Sequence, residues 1–156
     1  MPPIMSVPGL KHFCDLKVDV GTPLEMGEAP RGRRRIIPIL GGTVTGERLT
    51  GRVLGIGADW QTVFDQTTAE LDTRYALEST DGAVIEIRNF GYRHGPADIT
   101  AALARGEDVD PVLYYMRTHP RFETGDPRYA WLNHTVFVGT GMRRAHSVHV
   151  SVFEVL

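Results

Sequence analysis

Short segments of period-two alternation, each cut off by glycine, proline or aspartate turn residues, run through nearly the whole chain and leave space for one helix. Phe13 to Val20 alternates and stops at Gly21-Thr22-Pro23. Arg33 to Leu40 is ended by Gly41-Gly42, and Leu49 to Leu54 follows the turn at Gly46-Glu47. Gln61 to Phe64 is a short extended piece. Ala69 to Ser79 is a long strand, Thr80-Asp81-Gly82 is a hairpin turn of the kind Asp-Gly favours, and Val84 to Arg93 returns from it. Ser147 to Val155 alternates to the end of the chain. Pro96 and Gly106 bracket the run DITAALA and predict a helix over Pro96 to Arg105. That helix is short and weakly amphipathic, which suits a plug or lid beside a sheet. About eight or nine strands with closely spaced turns predict an all-β chain, an antiparallel barrel or sandwich.

Leu113 to Gly139, LYYMRTHPRFETGDPRYAWLNHTVFVG, is the stretch densest in aromatic, charged and amide side chains. At period two, Tyr129, Trp131, Asn133, Thr135 and Phe137 share one face, and Arg128, Ala130, Leu132, His134, Val136 and Val138 share the other. Upstream, Tyr115 and Arg117 share a face. Thr118 to Pro127 holds two prolines and a Gly-Asp turn, so the whole reads as a hairpin with a long loop, one side on a core and the other lining a pocket. The plainer alternative is that these aromatics are bulk core and the polar groups cap turns.

With 156 residues the chain has the length of one domain with a sizeable core. Its 42% hydrophobic and 23% charged residues are those of a soluble globular protein. No run approaches the ~18 apolar residues of a membrane helix, and MPPIMSVPGL lacks a basic region followed by an apolar one, so a cytoplasmic location is expected by default. Cys14, the single cysteine, cannot form an internal disulfide and reads as a small buried hydrophobe, with a thiol nucleophile as the minor alternative.

Arg31, Arg33, Arg34 and Arg35 are the main basic feature. On a strand Arg33 and Arg35 point one way and Arg34 the other, which splits the patch. The net charge is −2 and no RNA-type motif is present, so neither nucleic acid nor membrane is expected as a partner. Instead, one or two of these arginines should pair with carboxylates while another faces a pocket as the anchor for an acidic ligand. The six histidines show no metal-ligand spacing, and His146 and His149, three apart on a strand, point to opposite faces. No dinucleotide fingerprint and no Gly-x-Ser-x-Gly elbow occur. No metal and no cofactor are expected.

RGRRRIIPILGG at Arg31 to Gly42, GADWQ at Gly57 to Gln61, AELDTRY at Ala69 to Tyr75, IRNFGYRHGP at Ile87 to Pro96, YYMRTHPRFETGDPRYAWLN at Tyr114 to Asn133 and VFVGTG at Val136 to Gly141 follow one another in order. Together they resemble domain-of-unknown-function family 3237, also called uncharacterised protein family 0311. The resemblance runs from about Leu16 to Val155 and implies a compact closed β-barrel, similar in shape to lipocalin-type and allene-oxide-cyclase-type barrels. It implies no particular activity.

In such a barrel two carboxylates are candidates for proton transfer. Asp59 follows the glycine-rich turn Gly55-Ile56-Gly57-Ala58, and an aromatic wall from Trp60 would raise its pKa toward neutrality. A purely local role for Asp59 in the turn is the alternative. Glu70 competes, on a face shared with Asp72 and Arg74, where Arg74 would hold it ionised or bind an acidic substrate. That face is equally a solvated one, with surface ion pairs worth ~0–1 kcal/mol. Arg34, Arg88 or Arg117 would stabilise a developing anion, Tyr115 and Asn133 would donate hydrogen bonds, and Trp60, Tyr129 and Trp131 would shape the cavity.

The expected function is a cofactor-independent enzyme of isomerase, cyclase or lyase type, acting on a small acidic or aromatic molecule inside the barrel. The alternatives are a noncatalytic barrel that binds such a ligand and an assembly protein whose aromatics form a homo-oligomer interface. A buried carboxylate with a raised pKa would favour the enzyme, and anchors without a carboxylate would favour the carrier.

Overall fold

A computed structural model describes residues 1–156, and in it one antiparallel sheet closes on itself. The strands are β1 (Leu10–Val20), β2 (Leu24–Ala29), β3 (Gly32–Thr45), β4 (Gly51–Val53), β5 (Ala58–Phe64), β6 (Thr68–Ser79), β7 (Val84–His94), β8 (Tyr115–Glu123), β9 (Phe137–Arg143) and β10 (Ser147–Val155). β3 is long enough to serve two neighbours on each side. Its first half pairs with β2 and β5 and its second half with β1 and β4. Since β1 and β2 share one place in the ring and β4 and β5 share another, the ten strands form an eight-stranded barrel. β1 closes it by pairing with both β10 and β3.

Closure requires inward and outward positions to alternate along every strand, and they do. On β8, Met116, Thr118, Pro120 and Phe122 are buried while Tyr115, Arg117, His119, Arg121 and Glu123 are exposed. On β7, Ile85, Ile87, Asn89, Gly91 and Arg93 point inward. The β6–β7 hairpin turns where the sequence predicts it: Gly82 takes φ +92° and donates its N–H to the Ser79 carbonyl at 2.9 Å. The single α-helix, α1 (Ala97–Ala104), lies between Pro96 and Gly106, one residue shorter at each end than predicted. Its Ile99, Ala102 and Leu103 pack with Ala69, Leu71, Tyr114 and Met116 at one end of the barrel.

The other end is filled by aromatic rings. Phe13, Phe122 and Phe137 sit with centroids 5.0 to 5.7 Å apart, in the edge and tilted arrangements that π-quadrupoles favour. Leu16, Leu49, Leu77, Ile85 and Val152 extend this core. The segment that covers it differs from expectation. Tyr129 to Val136 does not form the predicted strand; residues Pro127–His134 are a 3₁₀ helix, and the strand begins only at Phe137. Pro127 sits at its first turn, where its missing N–H costs nothing. Asp126 caps it by accepting from the Arg128 N–H at 2.9 Å. Leu132 is fully buried beneath this segment, and Tyr129 and Trp131 pack on the same core.

Candidate functional site

Most of the polar residues buried in the barrel gather between the aromatic end and α1. A cavity of about 100 Å³ opens there. It is walled by Val18, Ile37, Ile39, Leu71, Val148 and Val150 and reaches the surface between Gly21 and Pro23 on one side and Ala145, in the β9–β10 turn, on the other. Its polar lining comes from inward positions of neighbouring strands: Asp59 and Gln61 from β5, Thr73 and Tyr75 from β6, Asn89 and Arg93 from β7, Thr118 from β8 and Arg143 from β9.

Asp59 owes its position to the glycine that precedes it by two. Gly57 has φ +88°, and a Cβ there would lie 2.1 Å from the Arg74 carbonyl oxygen, so only glycine lets β5 start close enough to β6. From that start Asp59 and Gln61 alternate inward, 8% and 1% exposed. Asp59 Oδ1 accepts the Asp72 backbone N–H at 2.9 Å, and Oδ2 accepts Gln61 Nε2 at 3.1 Å. The Gln61 amide has no freedom to flip. Its Oε1 accepts from Arg35 Nε at 3.0 Å and from Arg35 Nη2, and since a guanidinium only donates, the amide N–H must face Asp59.

Burial raises the Asp59 carboxyl above the usual aspartate range, and the hydrogen bonds from Asp72, Gln61 and Thr73 and the charge of Arg93 offset that only in part. Burial also raises the Tyr75 phenol, leaving it a neutral donor on the cavity wall. Arg93 is 8% exposed and falls to about 10, through burial first and then the charges of Arg143 and Arg35. Two further lining atoms, Asn89 Oδ1 and Thr118 Oγ1, are buried without a hydrogen-bond partner in the protein. Buried polar atoms are nearly always satisfied, so one unpaired acceptor and one unpaired hydroxyl on residues of the same cavity wall set this region apart from the rest of the core. The whole is a carboxylate of raised pKa, a phenol donor and a buried guanidinium around one small space.

Among the residues expected to act, the structure brings Asp59 into this cavity and places the others outside it. Glu70 lies on the outer face of β6 and accepts both oxygens' worth of bonding from Arg31, at 2.6 and 2.7 Å. Trp60 is on the opposite face of β5 from Asp59, 45% exposed, so the desolvation of Asp59 comes from the barrel interior and not from an indole wall. Arg34 faces outward with Trp60, whereas Arg35, in phase with Ile37 and Ile39, points in. Arg74 and Arg88 are exposed and both reach Glu86, at 2.8 and 3.6 Å. Tyr115 stacks on His94 outside the barrel, and Arg117 lies over the Tyr115 ring. Tyr129 donates its hydroxyl to Asp81, and Arg48 lies over the Trp131 ring, both at the aromatic end. Asn133 clips a loop, accepting the Thr124 N–H at 2.8 Å and donating to the Thr124 carbonyl at 2.9 Å.

Gln61, Thr73, Tyr75, Asn89, Arg93, Thr118 and Arg143 are the polar lining residues not anticipated from the sequence. For Asn89 and Arg93 a signal was available: they share the phase of Ile85 and Ile87, while Arg88 has the phase of Glu86. No three His, Cys, Asp or Glu side chains are grouped to hold a metal ion. Cys14 is wholly buried and its thiol is pushed up to about 12, by burial and by Asp15, which makes it a poor nucleophile. No helix is long and apolar enough to cross a membrane.

The family described as "Protein of unknown function (DUF3237)" matches residues 8–155. A UPF0311 protein of Rhodopseudomonas palustris is 46% identical over 146 residues, covering 94% of this chain and 95% of the relative. The crystal structure of a conserved protein of unknown function from Rhodopseudomonas palustris superposes with a TM-score of 0.92 at 43% identity, covering 98% of this chain and all of the other. That of a beta-barrel like protein from Acinetobacter baumannii gives 0.85 at 44% identity, over 100% and 99% of the two chains. More distantly, an enzyme from Penicillium herquei shares the fold, at 17% identity and a TM-score of 0.74 over the full length of both chains. This chain therefore belongs to the DUF3237 family, also called UPF0311.

Proposed function

We propose that this DUF3237 barrel is a cofactor-independent enzyme of isomerase, cyclase or lyase type that moves a proton on a small acidic or phenolic molecule held at Asp59. The observation that carries the reading is Asp59 itself: a carboxylate 8% exposed, on the wall of a cavity that also presents Arg93, Tyr75, Asn89 and Thr118. A carrier needs anchors alone. A carboxylate kept in a desolvated site costs stability, and a raised pKa brings it nearer the value at which a general base works best around neutral pH.

Above its pKa the Asp59 carboxylate takes a proton from a C–H or O–H of the ligand. The electron pair left behind moves onto a conjugated ligand oxygen, where Arg93 and the Tyr75 hydroxyl stabilise the charge. Asp59, now a neutral acid, returns the proton to a different atom of the same molecule; in a cyclisation the anion attacks an electrophilic carbon of the ligand and in an elimination it expels a leaving group, and Asp59 then gives its proton to the oxygen so formed or to the departing group. Gln61 and the Asp72 N–H hold both carboxylate oxygens and fix the direction of the remaining lone pairs. Proton transfer of this kind typically contributes 10²–10⁴-fold.

A test that needs no knowledge of the product is solvent exchange. The protein is incubated in D₂O with a panel of small β-keto acids, α-keto acids and phenols, and deuterium entry into each compound is followed by NMR. Catalysed exchange in the wild type that is lost in Asp59→Asn supports the reading. Compounds that bind, by thermal shift, yet never exchange would make the barrel a carrier.

A further inference from the structure

A second chamber, of about 300 Å³, lies beneath α1 and shares Arg93 and Arg143 with the Asp59 cavity. One face of the helix walls it with Ala97, Thr100, Ala101 and Ala104, three of them exposed, so the chamber is open to solvent along the helix. These residues are spaced i, i+3, i+4 and i+7, one face of a helix, and their small side chains leave the space open. The other side of α1 carries Ile99 and Ala102 into the apolar core, and Leu103 is held in that core while also bordering the chamber, so the helix cannot roll to fill it.

The chamber's charged lining is all of one sign. Arg33, Arg35, Arg93 and Arg143 line it and no acidic side chain does. Arg33 has Glu25 at 3.9 Å, near the surface. Arg35 has only the neutral Gln61. Neither the Arg93 nor the Arg143 guanidinium has an ion-pair or hydrogen-bond partner in the protein, although Arg93 is more than nine-tenths buried. Burying a cation without a counter-charge is expensive, and setting others beside it adds to the cost. Burial lowers the proton affinity of Arg35, Arg93 and Arg143 and the neighbouring guanidiniums lower it further, while Asp59, Glu25 and Tyr114 oppose this in part. All three still stay cationic at neutral pH. Within the chain, Asp59 acts on Arg93 and Arg35 and Glu25 acts on Arg35, which sets two carboxylates against four guanidiniums and leaves the cluster with positive charge that the chain does not balance.

We propose that the chamber under α1 is an oxyanion subsite, which takes a carboxylate, phosphate or sulfate group at one end of the ligand while the rest of the molecule extends past Arg93 to Asp59. The inference rests on the proposed function for what happens at Asp59, not for the anion binding itself. Guanidinium forks suit planar and tetrahedral oxyanions, with two N–H groups on two oxygens. The ligand class is thereby narrowed to small organic acids and phosphate or sulfate esters; cations and uncharged sugars are excluded. Arg93, lining both spaces, would tie the anchored end to the reacting end.

The test is thermal unfolding at constant ionic strength, with inorganic phosphate, sulfate or succinate replacing chloride. At least one should give a saturable rise in Tm, and Asp59→Asn should keep it. Arg143→Gln should weaken the apparent affinity at least ~tenfold, the loss expected for one charge-assisted hydrogen bond. Ala101→Glu is the second variant, because it brings a tethered carboxylate into the chamber from the helix. It should raise Tm without added anion and remove the response to phosphate. No saturable shift with any of the three anions, or an undiminished shift in both Arg143→Gln and Ala101→Glu, would overturn the subsite. So would its disappearance in Asp59→Asn. An anion response without any proton exchange would leave the subsite standing and remove the catalytic reading.

Discussion

The two ends of this barrel are built from the same alternating strands and spend them in opposite ways. At the end covered by the 3₁₀ helix, inward positions carry Phe13, Phe122, Phe137, Leu77 and Ile85, packed without polar interruption. At the end covered by α1, the same strands turn Asp59, Gln61, Asn89, Arg93, Thr118 and Arg143 inward around open space. β7 shows the change within one strand: Ile85 and Ile87 serve the packed end, Asn89 and Arg93 the polar one. Stability is thus concentrated at one end, which frees the other to hold groups that burial penalises.

The sharpest way to break this division is to remove a ring from the packed end. Phe137→Ala should destabilise by ~3–5 kcal/mol in urea unfolding, the usual cost of a buried phenylalanine. A cost below about 1 kcal/mol would mean that this end is not the anchor of the fold.

Asp59→Asn should cost at least ~10²-fold in turnover or solvent exchange while leaving oxyanion binding in place. Its effect on stability depends on pH with a definite sign. Because the folded-state pKa of Asp59 lies above the unfolded value, the native state holds this proton more tightly than the unfolded chain. Stability from this group is therefore full below the ordinary aspartate range and is lost as pH rises through the raised value. The Tm of the wild type relative to Asp59→Asn should fall across that interval, and a flat or rising difference would contradict the burial account.

A smaller effect should come from Thr118→Val. The hydroxyl has no partner, so an apolar isostere should be neutral or stabilising by up to about 1 kcal/mol, with weaker ligand binding as the only loss. Smallest of all, Arg88→Ala on the outer face should change stability by less than about 0.5 kcal/mol and leave ligand binding as it was. If it abolished binding, the cavity would not be the site.

Most of the architecture is legible in the sequence because a closed barrel needs only alternation and turns, and both are written plainly in stretches such as Ala69 to Arg93. Asp59 is legible through the glycine turn before it, although its neighbour Trp60 faces the other way. What misleads is that alternation tells which residues share a face and not which face is inside. On β8 the conspicuous Tyr115 and Arg117 are outside, and the plain Met116 and Thr118 are inside. Large aromatics and arginines draw attention on a strand's outer face, where they lie over the sheet as stacked pairs such as His94 and Tyr115. The apolar partners of each phase are the better guide, since Ile85 and Ile87 point to Arg93 rather than Arg88. Pro127 to His134 fails for a different reason. Its alternation is real, but a proline after a capping aspartate starts helical turns, and the rings reach the core from a 3₁₀ helix.

The most direct test of the account is the titration of Asp59 itself, followed by the ¹³C shift of its side-chain carboxyl in the folded wild-type protein. A midpoint clearly above the ordinary aspartate value of 3.8 is predicted, since burial outweighs the hydrogen bonds from Asp72 and Gln61 and the charge of Arg93. A midpoint at or below that value would show a carboxylate stabilised by its neighbours, and Asp59 would then be a structural acceptor and not the proton-transfer group of the site.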